Sequence, residues 1–396
     1  MRDVYIVDAV RTSIGKLGGD FKTVTADYLA SHVIAGLLNR VNAKIEVDEV
    51  ILGQARQSPD AANVARFAAL RANIPVTAGA YTVHRQCGSG LQAVNNAAQQ
   101  IALGLNEVII AGGTESMSNA QYYLRNARYG YNIGNGALLD PNIESQLNSQ
   151  PQEIYGQFNM GMTAENLANK YNITREQQDE FALRSQQLAI KAIEHGKFEQ
   201  EIIPYELKTR KATTIISKDE HPRATSLESL AKLEPVFKEN GSVTAGSSSG
   251  RNDGASALLL MSEEKLKQYN VKPKAKIIAQ AIAGVSPEIM GIGPVPSTVK
   301  ALAQANLSMN EIDLIELNEA FAAQALAVIQ QGNFPLEKVN VNGGAIALGH
   351  PVGATGAIIL TKLVHELIRS KGRYGIATLC IGGGQGITTI IENCTL

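Results

Sequence analysis

Cys87 lies where a predicted strand meets a predicted helix, in the stretch VHRQCGSG at 83–90. The preceding GAYTV contains β-branched and aromatic residues that favour a strand. Apolar residues then recur every three or four positions, as on one face of a helix: Leu91, Val94, Ala98, Ile101 and Leu105. A helix N-terminus stabilises a thiolate, and the neighbouring glycines leave the sulfur accessible. Cys87 is therefore a candidate nucleophile, with a buried core thiol as the alternative interpretation.

Three further residues could assist a thiol nucleophile. His350 lies among Gly and Pro residues, which predicts a turn, and its alternative is a histidine that binds backbone carbonyls. Cys380 follows a predicted strand and runs into glycines, and its alternative is again a structural thiol. Asn318 follows the predicted strand DLIEL, where an ordinary helix N-cap would also explain it. The remaining candidates are expected to be structural: Cys394, His32, His195 and His365.

The two ends of the chain repeat one pattern of predicted strands and helices. DVYIVDAVRT matches AKIIAQAIAG, and IEVDEVILGQA matches NEIDLIELNEA. A strand, a helix and a second strand follow in both halves, ending in EVIIAGGTES and GIATLCIGGGQG. The strands are almost wholly apolar, which predicts a mainly parallel sheet covered on both faces. Ligands of such sheets bind where strands end and helices begin, and both Cys87 and the CIGGGQG turn lie there.

A segment of different composition separates the two halves. It begins with the Tyr-rich QYYLRNARYGYNIGNG and ends with the Gly/Ser-rich ENGSVTAGSSSGRNDGAS, both predicted to be irregular. Between them, Thr174 and Gln177 predict a capping box that starts a helix. We expect this segment to cover the edge of the sheet as a lid or ligand-binding subdomain, a solvated surface excursion being the alternative.

Composition excludes several classes of function. The 396 residues carry a net charge of −1, which gives no general attraction to nucleic acids or membranes. No apolar run approaches the ~20 residues of a spanning helix. Three scattered cysteines form neither a disulfide framework nor a metal site, and the N-terminus has no signal-peptide core. We expect a soluble, reduced, cytoplasmic protein without bound metal.

These motifs resemble those of the thiolase family, and the resemblance covers nearly the whole chain. The motifs are CGSGLQAV at 87–94, GGTESMS at 112–118, NMGMTAEN at 159–166, NDGASALLLMS at 252–262, NEAFAAQ at 318–324, NGGAIALGHPVGATG at 342–356 and CIGGGQG at 380–386. The resemblance implies a thiolase-like α/β fold, with duplicated α/β/α halves and an inserted loop domain. The N-terminal half would comprise 1–119 and 249–272, the loop domain that binds CoA 120–248, and the C-terminal half 273–396.

The resemblance also implies the chemistry. Two acetyl-CoA would condense to acetoacetyl-CoA and CoA, or the reverse thiolysis would occur, with coenzyme A thioesters as substrates and no separate cofactor. His350 would deprotonate Cys87, which becomes acylated, and Cys380 would remove the α-proton of the second thioester. His350 and Asn318, the latter through a water, would hold the enolate oxygen. The backbone N–H groups of Cys87 and Gly382 would hold the tetrahedral intermediate.

Substrate contacts and assembly are implied in the same way. The residues expected to contact CoA or the acyl chain are Met160, Arg223, Phe237, Ala245, Ser249, Ala320 and Phe321. A homotetramer, built as a dimer of dimers, is expected. Three positions depart from the family pattern, namely His84, Asn159 and Arg251. The alternatives are a degradative 3-ketoacyl-CoA thiolase of longer chain length, a ketoacyl synthase-like enzyme and a binding protein without turnover. The presence of Cys87, Cys380 and His350 favours the thiolase.

Overall fold

The computed structural model describes residues 2–41, 43–210 and 212–396. The described residues form twelve strands and thirteen α-helices. The strands are β1 Val4–Arg11, β2 Gly15–Lys16, β3 Glu49–Gly53, β4 Gly79–Val83, β5 Val108–Ser116, β6 Tyr205–Lys208, β7 Thr213–Ile216, β8 Asn252–Ser262, β9 Ala275–Gly284, β10 Leu314–Leu317, β11 Tyr374–Ile381 and β12 Gln385–Asn393. The helices are α1 Ala26–Arg40, α2 Val64–Arg71, α3 Ser89–Ala102, α4 Pro141–Leu147, α5 Gln152–Tyr155, α6 Met160–Tyr171, α7 Arg175–Glu194, α8 Leu227–Ala231, α9 Glu263–Tyr269, α10 Pro294–Ala305, α11 Ala322–Gly332, α12 Ala345–Leu348 and α13 Thr355–Ser370.

Ten strands form one sheet in the order β10-β11-β12-β9-β1-β8-β5-β3-β4, with β2 beside β8. The prediction of a mainly parallel sheet is wrong. The parallel pairs are β3 with β4, β3 with β5, and β10 with β11, whereas the other pairings are antiparallel. The strands are apolar because both faces of the sheet are covered, and such burial gives the same pattern in parallel and antiparallel strands.

Helices cover the sheet in layers, which explains this burial. Helices α3 and α13 contact each other and pack between the two halves of the sheet. Helices α1 and α2 cover the outer face of the first half, and α10 and α11 that of the second. The two central helices therefore begin side by side, each directly after a loop that carries a candidate catalytic residue.

The predicted duplication extends to individual hydrogen bonds. The carboxylate of Asp48, just before β3, accepts the backbone N–H groups of residues 107 and 108 at 2.8 Å. Asp313, just before β10, accepts those of residues 373 and 374 at 2.6 and 3.0 Å. The two aspartates align in the matched stretches IEVDEVILGQA and NEIDLIELNEA. The structure thus confirms a duplicated α/β fold.

The intervening segment contains α4 to α8 and the hairpin of β6 and β7. The predicted capping box is present, because Thr174 and Gln177 each accept a backbone N–H of the other, and α7 follows. Strand β8, in the second piece assigned to the N-terminal half, lies between β1 and β5. The domain boundaries at 119, 248 and 272 stay a prediction.

Candidate active site

A cavity of about 180 Å³ opens beside the start of α3. Eight of the predicted site residues line it: Cys87, Met160, Phe237, Ser249, Ala320, Phe321, His350 and Gly382. Four do not: Cys380, Asn318, Ala245 and Arg223. The other lining residues are Arg56, Gln86, Met117, Ser145, Gln146, Ser149, Ser248, Gly250, Arg251, Met290 and Val352.

Cys87 lies in a tight turn between β4 and α3. The turn places Gln86 in the left-handed region at φ 45°, which is uncommon for a residue with a side chain. Ser89, the first residue of α3, fixes the turn by accepting the Arg85 N–H at 2.8 Å and donating to the Gln86 carbonyl at 2.6 Å. Cys87 is partly exposed and lies on the cavity.

Two backbone N–H groups point toward the sulfur of Cys87. Burial raises the pKa of the Cys87 thiol, while the N–H groups of Gly382 and of Cys87 itself and the charge of Arg56 lower it. A Cβ atom added at Gly382 would lie 3.2 Å from Ser149 Oγ and 3.5 Å from Met160 Sδ. A larger residue would therefore crowd the space above the thiol. This pair of donors has the composition of an oxyanion hole.

His350 is held as a neutral base. Its Nδ1 lies 2.6 Å from Thr355 Oγ1, and that hydroxyl donates its one proton to the carbonyl of Pro351 at 2.9 Å. Nδ1 must therefore carry the hydrogen of this pair, which leaves Nε2 free to accept a proton. Burial, and then the charge of Arg56, lowers the pKa of His350 to about 4. The imidazole is unprotonated at neutral pH.

Cys380 is fully buried near the end of β11 and does not line the cavity. Burial raises the pKa of its thiol strongly, and the nearby charge of Cys87 raises it further. The two cysteines are therefore close enough to interact electrostatically. At neutral pH, Cys380 holds its proton.

Asn318 follows β10 and is not the N-cap of the next helix. That helix, α11, begins at Ala322 with Phe321 as its cap residue. Asn318 is 1% exposed, yet neither its amide oxygen nor its amide nitrogen has a hydrogen-bonding partner among the described residues. Buried amides are normally hydrogen-bonded. Asn318 is thus a candidate to bind a water or a substrate oxygen.

The predicted CoA contacts fall into two groups. Phe237 and Phe321 pack edge to face with 5.8 Å between ring centroids, and the Ser249 N–H donates to the Ala320 carbonyl at 3.0 Å. By contrast, Ala245 is exposed outside the cavity wall. Arg223 is also exposed, and its guanidinium lies 3.4 Å from His221 Nε2. The structure does not bring these two residues to the cavity.

The three departures from the family pattern have different surroundings. Asn159 caps α6, because its side-chain oxygen accepts the Met162 N–H at 3.0 Å. Arg251 is exposed and lines the cavity. His84 is exposed overall, and burial of its ring and the charge of Arg56 lower its pKa.

Sequence reasoning missed two charged residues beside the cavity. Arg56 follows β3 and lines the wall near Cys87. Glu115 is fully buried in β5, and its carboxylate accepts the backbone N–H groups of Ala55, Arg56 and Gly353 at 2.8–3.0 Å. An arginine directly after a buried strand and a glutamate within one were the available signals.

Neither a metal-binding cluster nor a membrane-spanning helix is present among the described residues. Within residues 2–41, 43–210 and 212–396, no group of three or more His, Cys, Asp or Glu side chains is arranged to hold a metal ion. No described helix has the length and apolar character needed to cross a membrane.

Comparison with known proteins identifies the family. The thiolase N-terminal domain model matches residues 4–264, and the thiolase C-terminal domain model matches residues 271–393. An acetyl-CoA acetyltransferase of Pseudomonas aeruginosa is 50% identical over 390 residues, covering 98% of both chains. The crystal structure of the Bacillus anthracis acetyl-CoA acetyltransferase superposes with a TM-score of 0.96 at 49% identity, and that of human mitochondrial 3-ketoacyl-CoA thiolase with 0.95 at 45%, each covering 99% of both chains. With a matching fold over its whole length and both family models satisfied, the chain belongs to the thiolase family.

Proposed function

We propose that this thiolase is an acetyl-CoA C-acetyltransferase, which condenses two acetyl-CoA to acetoacetyl-CoA and CoA and catalyses the reverse thiolysis. The observation that carries the proposal is the grouping of Cys87, the free Nε2 of a neutral His350 and the Gly382 N–H around one cavity. Relatives that carry the name acetyl-CoA acetyltransferase at 46–50% identity support the choice of substrate.

The first half-reaction acylates Cys87. His350 Nε2 accepts the thiol proton as the sulfur attacks the thioester carbonyl. The oxygen becomes negative and is held by the N–H groups of Cys87 and Gly382, an interaction typically worth ~3–4 kcal/mol of the barrier for each donor. The CoA sulfur leaves and takes the proton from His350, which restores the neutral imidazole.

The second half-reaction forms or breaks the carbon–carbon bond. In thiolysis, Cys87 attacks the 3-keto carbon, and the acetyl-CoA enolate that leaves takes a proton from Cys380. The raised pKa of Cys380 suits this direction, because the resting thiol already holds the proton to be donated. Condensation needs Cys380 as a thiolate, which removes the methyl proton of the second acetyl-CoA. Asn318, through a water, stabilises the enolate oxygen in both directions, and His350 donates to it in thiolysis, when Nε2 carries the proton taken from Cys87.

Two observations bear on acyl-chain length. Met160 Sδ lies close above Gly382, and Met290 lines the same cavity, so bulky side chains restrict the acyl space. The similarity to human mitochondrial 3-ketoacyl-CoA thiolase favours longer substrates as the second candidate. A thiolysis series from acetoacetyl-CoA to ten-carbon 3-ketoacyl-CoA separates them, because kcat/KM that rises steadily with length would contradict the short-chain assignment.

The decisive experiment is acyl labelling of the two cysteines. Incubation with acetyl-CoA alone, followed by quenching and peptide mass spectrometry, should place acetyl on the Cys87 peptide. Cys380→Ser should keep this label but lose condensation and thiolysis, since a serine hydroxyl is too weak an acid or base here. Cys394→Ser, outside the cavity, is the control and should match the unmodified enzyme. Label on Cys380, or equal loss of both half-reactions in Cys380→Ser, would refute these roles.

We also propose a cytoplasmic homotetramer that binds acetyl-CoA, acetoacetyl-CoA and CoA. Support for self-association comes from large apolar side chains exposed between residues 122 and 155. They are Tyr122, Tyr123, Leu124, Tyr129, Tyr131, Ile133, Leu138, Ile143, Ile154 and Tyr155. Light scattering of the purified protein measures the number of subunits, and a monomer would contradict the proposal.

A further inference from the structure

The turn that carries His350 is anchored to the first half of the molecule at two points. The backbone N–H of His350 donates to the side-chain oxygen of Asn252 in β8 at 2.9 Å. The N–H of Gly353 donates to the carboxylate of Glu115 in the neighbouring strand β5 at 2.8 Å. The backbone between these points turns tightly, because the Pro351 carbonyl accepts two N–H groups at the start of α13 at 2.8 and 2.9 Å. A contact that fixes Gly353 therefore also fixes His350.

Glu115 joins this turn to the loop after β3. Its Oε2 accepts the N–H groups of Ala55 and Gly353 at 3.0 and 2.8 Å, and its Oε1 accepts that of Arg56 at 2.9 Å. Three donors on two oxygens fit an ionised carboxylate. Burial raises the pKa of Glu115, whereas the charge of Arg56 and the three N–H groups lower it. A fully buried carboxylate is costly without such donors, so the charge of Glu115 depends on both loops staying in place.

The backbones of the two halves are in close contact around Glu115. A Cβ atom added at Gly353 would lie 2.7 Å from Gln54 Cα and 2.9 Å from Glu115 Oε2. A Cβ atom added at Gly113, also in β5, would lie 2.3 Å from the Gly353 carbonyl oxygen. Any residue larger than glycine at either position would push the turn away from β5. The His350 turn therefore has a single well-defined seat on the first half, and Glu115 provides its hydrogen bond there.

The charge of Glu115 does not explain its place beside the nucleophile. Burial raises the pKa of the Cys87 thiol, and the negative charge of Glu115 raises it further. The charge alone therefore disfavours the thiolate that attacks the thioester. Glu115 also does not line the cavity, so it is not placed to contact a substrate there. A role in geometry and a role through charge thus predict opposite effects when the carboxylate is removed.

We infer that Glu115 is a positioning residue for the proton transfer from Cys87 to His350, because it ties the His350 turn to the half of the molecule that carries the nucleophile. It acts through the backbone of Gly353 and touches no reacting atom. The inference rests on the proposed function, since the proton transfer is that of the first half-reaction. Without the carboxylate the turn can shift, and a displacement of about 1 Å is enough to slow a reaction about 100-fold.

The test is a double-mutant cycle on the rate of Cys87 acetylation by acetyl-CoA. Glu115→Gln keeps the shape of the side chain but replaces one acceptor oxygen with an NH₂ group, which then faces a backbone N–H. We expect rapid-quench acetylation to slow about 10- to 100-fold, with the half-saturating concentration of acetyl-CoA changed less than about threefold. In a His350→Ala background, the same substitution should slow acetylation less than about threefold, because the base that Glu115 positions is already absent.

Two further variants complete the test. Asp48→Asn is the matched control, because Asp48 also accepts two backbone N–H groups, at the other end of β5, and lies outside the cavity. It should leave the acetylation rate unchanged in both backgrounds. Glu115→Asp keeps the charge but is one methylene too short to reach all three donors, so it should stay at least about tenfold slow. If Glu115→Gln does not fold, as judged by circular dichroism, Glu115→Asp takes its place in the cycle.

Three results would overturn the inference. An equal loss of rate with and without His350 would mean that Glu115 supports the fold and not the base. Unchanged or faster acetylation in Glu115→Gln would mean that its charge on Cys87 is its main effect. Full recovery of the rate in Glu115→Asp would show that the reach of the carboxylate is unimportant. All three leave the proposed function intact, whereas a lack of acetyl on Cys87 in the unmodified enzyme refutes the proposed function itself.

Discussion

The first residues of α3 and α13, Ser89 and Thr355, do the same work in the two halves of the molecule. Each side-chain hydroxyl donates to a carbonyl of the loop before its helix, Gln86 in one half and Pro351 in the other. Each hydroxyl also binds a nitrogen further back, which is the Arg85 backbone N–H for Ser89 and the His350 ring for Thr355. The same pattern of hydrogen bonds therefore shapes the turn of the nucleophile in one half and orients the base in the other.

The residues around this shared device differ. In the matched stretches after β3 and β10, Arg56 corresponds to Phe321, so one half contributes a cation to the cavity and the other an aromatic ring. The matched aspartates Asp48 and Asp313 bind the starts of β5 and β11. The end of β5 carries the structural Glu115, whereas the end of β11 carries Cys380 and is followed by Gly382. Duplication supplied the scaffold, and side-chain replacement on each copy supplied a different part of the chemistry.

The largest expected effect comes from removing the base that the second half provides to the first. His350→Ala should lower the rates of both half-reactions, with kcat about 1,000-fold or more below that of the unmodified enzyme, because the substitution removes a general base and an oxyanion donor.

The pKa of His350 is lowered to about 4. The neutral imidazole therefore predominates at pH 5 and above. The rate of Cys87 acylation in the unmodified enzyme should fall only as the pH approaches 4, where the imidazole becomes protonated. Rapid-quench acetylation across pH 4–8 measures this, and an acid limb near pH 6.5 would contradict the assigned environment.

An intermediate effect should follow from releasing the ring of His350. Thr355→Val keeps the shape of the side chain but cannot hold Nδ1, so the imidazole can adopt the tautomer that blocks Nε2. We expect kcat to fall about 10- to 100-fold with KM nearly unchanged, since a tautomer effect acts on proton transfer. Thr355→Ser is the matched control and should recover kcat to within about threefold. A rise in KM without loss of kcat would show that Thr355 acts only through packing.

The smallest effect concerns the aspartates that make the two halves alike. Asp48→Asn and Asp313→Asn should each lower the free energy of unfolding by about 1 kcal/mol, because each aspartate accepts two backbone N–H groups at the surface. Urea unfolding measures the change, and kcat should be unaffected in both variants. A loss of activity in only one of them would show that the two halves do not share this support equally.

The sequence predicted the repeated units and the residues that border the turns. The alternation of apolar runs with helical periodicity gave the order of strands and helices from β3 to β5 and from β10 to β12. It could not give strand direction, because β8 and β12 are as apolar as the parallel strands beside them. The position of β8 between β1 and β5 depends on contacts between residues about 140 to 260 apart in the chain, which no local pattern records.

The sequence predicted the site residues that lie within a recognisable motif. It missed those that reach the site only through the folding of the chain. Cys87 and His350 stand in glycine-rich turns with a recognisable composition, and Cys380 stands in a strand just before such a turn. Arg56 and Thr355 act through a loop and a helix start whose neighbours are distant in sequence, and Thr355 resembles any helix-starting hydroxyl until His350 lies beside it. Ala245 and Arg223 were predicted to contact CoA from resemblance alone; neither lines the cavity, and their contact with CoA stays a prediction.

The place of β8 between β1 and β5 also affects how the chain folds during synthesis. The first half of the sheet cannot close when its first five strands have left the ribosome, because its central strand is encoded about 250 residues after β1. At elongation rates of 5–20 residues per second, β1 would wait roughly 12 to 50 seconds for that strand and β5 roughly 7 to 27 seconds. During that interval, apolar strand edges remain unpaired. The nascent N-terminal half should therefore be a stronger client of ribosome-associated chaperones than the C-terminal half, whose strands follow one another without a long insertion.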